Sequence, residues 1–429
     1  MTDLTITSVR AREVLDCRGL PTVQVDLALA DGDVMGRADV PSGRSTGSNE
    51  AHELRDGGSR FGGFGVLSAV ANVNNVIAPA LVGSSMTSQR DLDATLRDLD
   101  GTPDKSALGA NALLGVSLAA ARAAAAATGR PLYRHLNAEA HVLPVPLVNL
   151  INGGKHASND LDFQEFIILP VGASSMVEAL QISTEVNLVL AGILLARFGK
   201  VALNTGDEGG FAPPISSPEE ALDLLHEAVD KSGWAHTIHY GLDCASTHWY
   251  DPAKGTYLLD GKELDRDGLI ERYLHLIDQY GLVTIEDPLH EDDFEGFAAL
   301  TEASGIQIVG DDLFTTNVER LQRGLDQSAA NSLLWKVNQI GTLSEAWDAA
   351  TLAFRNGYTV VVSERSGETE DAIISDLVVA LDAGQIKTGA PVRGERTAKY
   401  NRLIQIEEEL GRSARYAGRV FGSAGSGSP

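Results

Sequence analysis

Residues 282–312, LVTIEDPLHEDDFEGFAALTEASGIQIVGDD, open on a short apolar run, pass through a segment of helical length and close on a second apolar run. Each run ends in carboxylates, Glu286 in the first and Asp311 in the second. The same rhythm holds from residue 139 onward, in PLVNLIN, EFIILPV, HYGLDCAS, SLLWKVN, TVVVSER and QIKTG. Amphipathic segments lie between such runs, among them SPEEALDLLHEAVDKSG with Ser217 at its N-cap position and TLSEAWDAATLAFRNG with Gly357 at its end. Strand followed by helix, over and over, predicts an α/β barrel or an open parallel sheet. The polar residues separate these two. Nearly every run ends in a charged or amide residue: Asn152, Asp243, Glu286, Asp311, Lys336, Glu364 with Arg365, and Lys387. A barrel gathers those ends at one mouth, whereas an open sheet strings them along a line, so the pattern favours a (β/α)8-type barrel.

The N-terminal part reads differently. TVQVDLALADGDVMGRADV alternates apolar and polar residues, which predicts a hairpin or meander turning at Asp31-Gly32. Glycine-rich loops follow, then the alanine-rich helical segment GANALLGVSLAAARAAAAATGRPLYRHL, ended by Gly129 and Pro131. The expected organisation is a small α+β domain over 1–138, a barrel over 139–418 and a low-complexity, disordered tail over 419–429 that includes GSAGSGSP.

With 429 residues, 43% of them hydrophobic, the chain is long enough for a large buried core. A net charge of −25 argues against nucleic-acid or anionic-membrane partners, so an anionic substrate must meet a local cluster of cations. Cys17 and Cys244 stand far apart without metal-ligand spacing, which fits a reducing, cytoplasmic compartment. The start, MTDLTITSVRAREVLD, has no signal-like apolar core, and the apolar stretches elsewhere are broken by charge or glycine, so no membrane span is expected.

Asp243, Glu286 and Asp311 end three different runs. Singly each reads as a helix cap or surface charge; together they offer the oxygen ligands that Mg²⁺ prefers. Lys336 and Lys387 end two more runs. A lysine in a mouth that already holds cations has its proton disfavoured and can act as a base, the alternative being a salt bridge to a carboxylate. NTGDEGGFAPP presents Glu208 beside glycines, as a general acid or base or as a plain exposed turn. PSGRSTGSNE is a glycine-flanked loop whose Ser42, Ser45 and Thr46 can close over a phosphate or serve a metal. NGGKHASNDLDFQEF brings His156, Gln164 and Glu165 near the same mouth. The sum fits removal of a proton α to a carboxylate, with metal charge stabilising a dianionic intermediate.

EVLDCRGLPTVQVD, PSGRSTG, GDEGGFAP, IEDP, GDDLF, KVNQIGTLSEA, RSGETED, GQIKTGAP and AKYNRLIQIEEELG together resemble the enolase family over essentially the whole chain. The resemblance implies an α+β domain before a barrel, a homodimer, two Mg²⁺ ions and interconversion of 2-phosphoglycerate and phosphoenolpyruvate. By position Lys336 resembles the base at C2, and Glu208 the acid that helps the C3 hydroxyl leave. Asp243, Glu286 and Asp311 resemble the ligands of the first metal, and Ser45 the lid ligand of the second. Gln164, Glu165, His156 and Lys387 resemble substrate contacts, and Arg365 and Ser366 phosphate binders. Cell-surface pools and non-catalytic scaffold roles are also associated with the family.

Two charged positions depart from it. Enolases carry SHRSGETED, with histidine where this chain has Glu364, and commonly alanine where the lid has Arg44. At an effective dielectric of about 20, two unit charges roughly 4 Å apart interact by about 4 kcal/mol, so an anion beside a phosphate weakens binding unless compensated. Arg44 is the expected compensator, pairing with Glu364 on closure or contacting a different acidic group. The departure keeps open a second activity, an enolase-like carboxyphosphonoenolpyruvate synthase of phosphonate or phosphinate biosynthesis. DCRGLP in place of DSRGNP reads as a packing change at Cys17 and Leu20.

Overall fold

The computed structural model describes residues 3–29 and 35–418. The expected turn at Asp31-Gly32 and the tail over 419–429 lie outside them.

Strands Ile6–Leu15, Pro21–Leu29 and Met35–Asp39 form an antiparallel sheet with the second in the centre. Val23, Val25, Leu27 and Leu29 share its fully buried face, as the alternation predicts. Helix Ala110–Ala127 lies against the sheet, and its alanines permit a very close approach. At Gly36 an added Cβ would stand 1.9 Å from the Ala119 carbonyl oxygen, so only glycine fits where strand and helix meet.

The barrel strands are Val145–Asn152, Glu165–Leu169, His239–Asp243, Leu282–Glu286, Gln307–Gly310, Ser332–Trp335, Thr359–Ser363 and Gln385–Lys387, closed in sequence order. Strict strand–helix alternation fails once. The second strand runs antiparallel to both neighbours, because the first two are joined as a hairpin and two helices, Met176–Phe198 and Pro218–Ser232, follow before the third. As a result the start of the second strand, not its end, faces the mouth, and Glu165 stands level with Asn152 and Asp243. The other seven strands are mutually parallel and end at that mouth. Ser217 caps its helix by accepting the Glu220 amide, and Gly357 follows the helix Leu343–Arg355.

The expectation about apolar stretches needs correction. Ala110–Ala127 and Met176–Phe198 are both long and apolar enough to cross a membrane. The first is 83% buried, so its apolar character belongs to the core. The second packs against helix Pro218–Ser232 and the barrel and leaves Val177, Leu188 and Leu195 exposed.

Candidate active site

The strand ends enclose a narrow cavity lined by Ser45, His156, Gln164, Glu165, Glu208, Asp243, Asp311, Lys336, Ser363, Glu364, Arg365, Ser366 and Lys387. Residues drawn from across the whole sequence thus meet in one place, and Glu286 adjoins them through Lys387. A wider groove on the barrel's flank, lined by Ser217, Asp260 and Arg272 among others, lacks this convergence, and its Arg272 is bound to Glu219.

Lys387 sits at the hub of one wall. Its Nζ lies 2.7 Å from Asp243 Oδ2, 2.9 Å from each Glu286 oxygen and 3.2 Å from Glu165 Oε1. Burial opposes its charge, but Asp243 and the two glutamates outweigh that and raise its pKa well above the usual lysine value. Glu286 is pushed well up by burial and by Asp243. Across the barrel, Lys336 Nζ donates to Asp311 Oδ2 at 2.6 Å, and Gln339 donates to Asp311 Oδ1 at 2.7 Å. This contact is the salt bridge to a carboxylate that the sequence leaves open beside a basic role for Lys336. Burial does lower the proton affinity of Lys336, yet the Asp311 carboxylate more than reverses it.

Glu208 arrives on the loop after the long helix, with Asn149 donating to its Oε2 at 3.4 Å. His156 Nδ1 stands 3.4 Å from Glu208 and 3.6 Å from Glu165, and ligand atoms of these three lie within 4.8 Å of one another. Burial, then the charge of Glu208, raises the Glu165 pKa well above the carboxylate range. Burial pushes Glu208 the same way, but the neighbouring His156 turns it downward. The two carboxyls are therefore driven apart, Glu165 towards the protonated form and Glu208 towards the ionised one. Burial lowers the pKa of His156.

The loop over residues 41–50 covers the mouth. Ser42 and Gly367 exchange backbone hydrogen bonds at 2.9 Å each, the Arg44 amide donates to Ser366 Oγ at 2.9 Å, and Ser48 binds Glu291. Arg365 donates to both oxygens of Glu50, at 2.9 and 3.1 Å, and to the Ser45 carbonyl at 3.0 Å. The Ser45 hydroxyl is hydrogen-bonded to His248.

Arg44 does not reach Glu364. It is half exposed and pairs with Asp207 at 2.7 Å, because the lid turns its side chain outward. The partner of Glu364 is Arg396, from the helix Gly394–Leu410. Both side chains are essentially inaccessible, and Arg396 also donates to the carbonyls of Arg365 and Ser366 at 2.8 Å each. Arg396, Glu50, His248 and Asn149 escaped the sequence reading. The first three lie in a helix or loops rather than at strand ends, and Asn149 lies inside a strand.

The residues fit a hard divalent cation. Every group that would hold it is an oxygen donor, and the cavity lining carries Glu165, Glu208, Asp243, Asp311 and Glu364 against only Lys336, Arg365 and Lys387. Asp287, although within 4.8 Å of Asp311 and Asp312, accepts both their amides at 2.8 Å and so shapes the turn that presents Asp311.

A lysine and a carboxyl pair in one barrel mouth, set among further carboxylates, suit an enzyme that moves protons. Comparison with known proteins makes this specific. The family model "Enolase, N-terminal domain" matches residues 6–136 and "Enolase, C-terminal TIM barrel domain" matches 140–424. The enolase of Methanocaldococcus jannaschii is 59% identical over 417 residues, covering 97% of this chain and 98% of that protein. Those of Thermococcus kodakarensis and Pyrococcus furiosus are each 56% identical over 421 residues, with 97% of both chains covered. The chain belongs to the enolase family and is a hydro-lyase of the phosphopyruvate hydratase type.

Proposed function

We propose that the protein interconverts 2-phosphoglycerate and phosphoenolpyruvate with Mg²⁺, two ions in all, as a cytoplasmic homodimer. The observation that carries the reaction is the placement of Lys336 and Glu208 in one cavity, Lys336 after the sixth strand and Glu208 beside the first two. Lys336, after giving up its own proton to solvent, takes the proton from C2. Glu208, relaying the proton held by Glu165, protonates the C3 hydroxyl, which departs as water as the C2–C3 double bond forms. Arg365 and Ser366 take the phosphate, and Lys387, Gln164 and His156 hold the rest of the ligand.

Asp243, Glu286 and Asp311 would hold the first ion and Ser45 the second. Bound there, the metal supplies positive charge to the substrate carboxylate as it becomes more negative. Two free thiols, Cys17 and Cys244, support a reducing compartment. The pairing of Glu364 with Arg396 supports the hydratase over the phosphonate-pathway synthase, because the altered residue is held by a buried arginine of this chain.

The test is a steady-state assay with 2-phosphoglycerate and Mg²⁺, following phosphoenolpyruvate by ultraviolet absorbance. Turnover of about 1 to 1000 per second is expected. No turnover with Mg²⁺ present would overturn the reading.

A further inference from the structure

Glu364 presents one satisfied oxygen and one orphan. Oε2 accepts from Arg396 and from Thr388 Oγ1, the latter at 3.3 Å. Oε1 has no hydrogen-bond partner among the described residues, although it is buried. The residue lines the same cavity as Lys336, Arg365 and Ser366. An unpartnered buried carboxyl oxygen costs free energy, and a proton or a ligand relieves that cost.

The backbone fixes this choice of atoms. Gly389 adopts φ +79°, and a Cβ there would stand 2.6 Å from the Glu208 carbonyl and 2.9 Å from Glu364 Oε1. A side chain at 389 would therefore collide with the oxygen that the site leaves free. Oε2 already receives two donors, so a proton on the group belongs on Oε1.

We propose that Glu364 is a ligand-binding, specificity-determining residue whose Oε1 carries a proton and donates it as a hydrogen bond to an anionic oxygen of the phosphorylated carboxylate substrate. The inference rests on the enolase reading and deepens it. Binding of the anion then takes up a proton whenever Glu364 is ionised beforehand. In the ionised form Oε1 faces the anion as a like charge, and affinity falls.

The surroundings agree. Burial pushes the carboxyl up to about 8, against the opposing pull of Arg396, with Glu208 and Glu368 adding to the rise. The groups packed around it are Arg396, Glu395 and Tyr400 on the C-terminal helix, Glu208 on its loop, Arg365 and Glu368 on its own loop, Lys387 on the last strand, and Cys17 behind Arg396.

The experiment measures KM for 2-phosphoglycerate against pH, at saturating Mg²⁺, for the unmodified protein and for Glu364→Gln. Above about pH 8 the unmodified protein should show KM rising up to about tenfold per pH unit, while the glutamine variant stays flat over the same range. Parallel profiles would mean that Glu364 only neutralises Arg396, and would overturn the inference.

A second measurement covers a variant that fails to fold. Calorimetric titration of Lys336→Ala with 2-phosphoglycerate and Mg²⁺ above about pH 8, in two buffers of different ionisation enthalpy, should show uptake of up to one proton. Absence of uptake overturns the inference. If the unmodified protein gives no turnover at any pH, the enolase reading itself fails and takes this inference with it; normal turnover with a pH-independent KM removes the inference alone.

Discussion

Glu50 of the lid grips Arg365 of the barrel with both carboxylate oxygens, at 2.9 and 3.1 Å, in a site where the arginine side chain is only 2% exposed. The contact joins the lid loop to the residue matched to the substrate phosphate. Breaking a buried pair by removing one partner strands the other charge. Glu50→Gln should therefore cost about 3–5 kcal/mol of unfolding free energy, read by denaturant titration. A loss under about 1 kcal/mol, typical of exposed pairs, would show that the latch does not bear on stability.

The carboxylates around Lys387 predict stabilisation by metal. Adding Mg²⁺ to chelator-treated protein should raise Tm, since a ligand at about 100 times its Kd contributes about 2.7 kcal/mol, and it should restore turnover abolished by the chelator. An unchanged Tm with full activity in chelator would contradict the assignment of Asp243, Glu286 and Asp311.

Stability should also depend on pH through Glu364. Its proton affinity is raised from the ordinary 4.5 to about 8, mainly by burial. A raised pKa contributes stability that is fully present below about 4.5 and is lost as pH rises through about 8. Across that window the unmodified protein should lose Tm relative to Glu364→Gln. A constant difference between the two would contradict the shift.

The strand ends were legible because a barrel turns sequence rhythm into geometry. Asp243, Glu286, Asp311, Lys336, Glu364 and Lys387 all stand at or one residue beyond the end of a strand at the mouth. The antiparallel second strand was not legible, because EFIILPV reads the same in either direction and only pairing with its neighbours sets its sense. The sequence points to the lid for the partner of Glu364, since Arg44 is the other altered charge. A fully buried arginine 32 positions downstream carries no local signal, because the contact is made by a helix returning under the mouth. The salt bridge of Lys336 is legible as one of two readings, and the 2.6 Å contact with Asp311 identifies which carboxylate takes it.

The central claim is that Lys336 and Glu208 divide the two proton transfers between them. The most direct test is solvent-deuterium incorporation at C2 of 2-phosphoglycerate, read by mass spectrometry. Glu208→Gln should still exchange the C2 proton while forming phosphoenolpyruvate about 10²–10⁴-fold more slowly. Lys336→Ala should do neither. Deuterium entering C2 at the unmodified rate in Lys336→Ala would contradict the account.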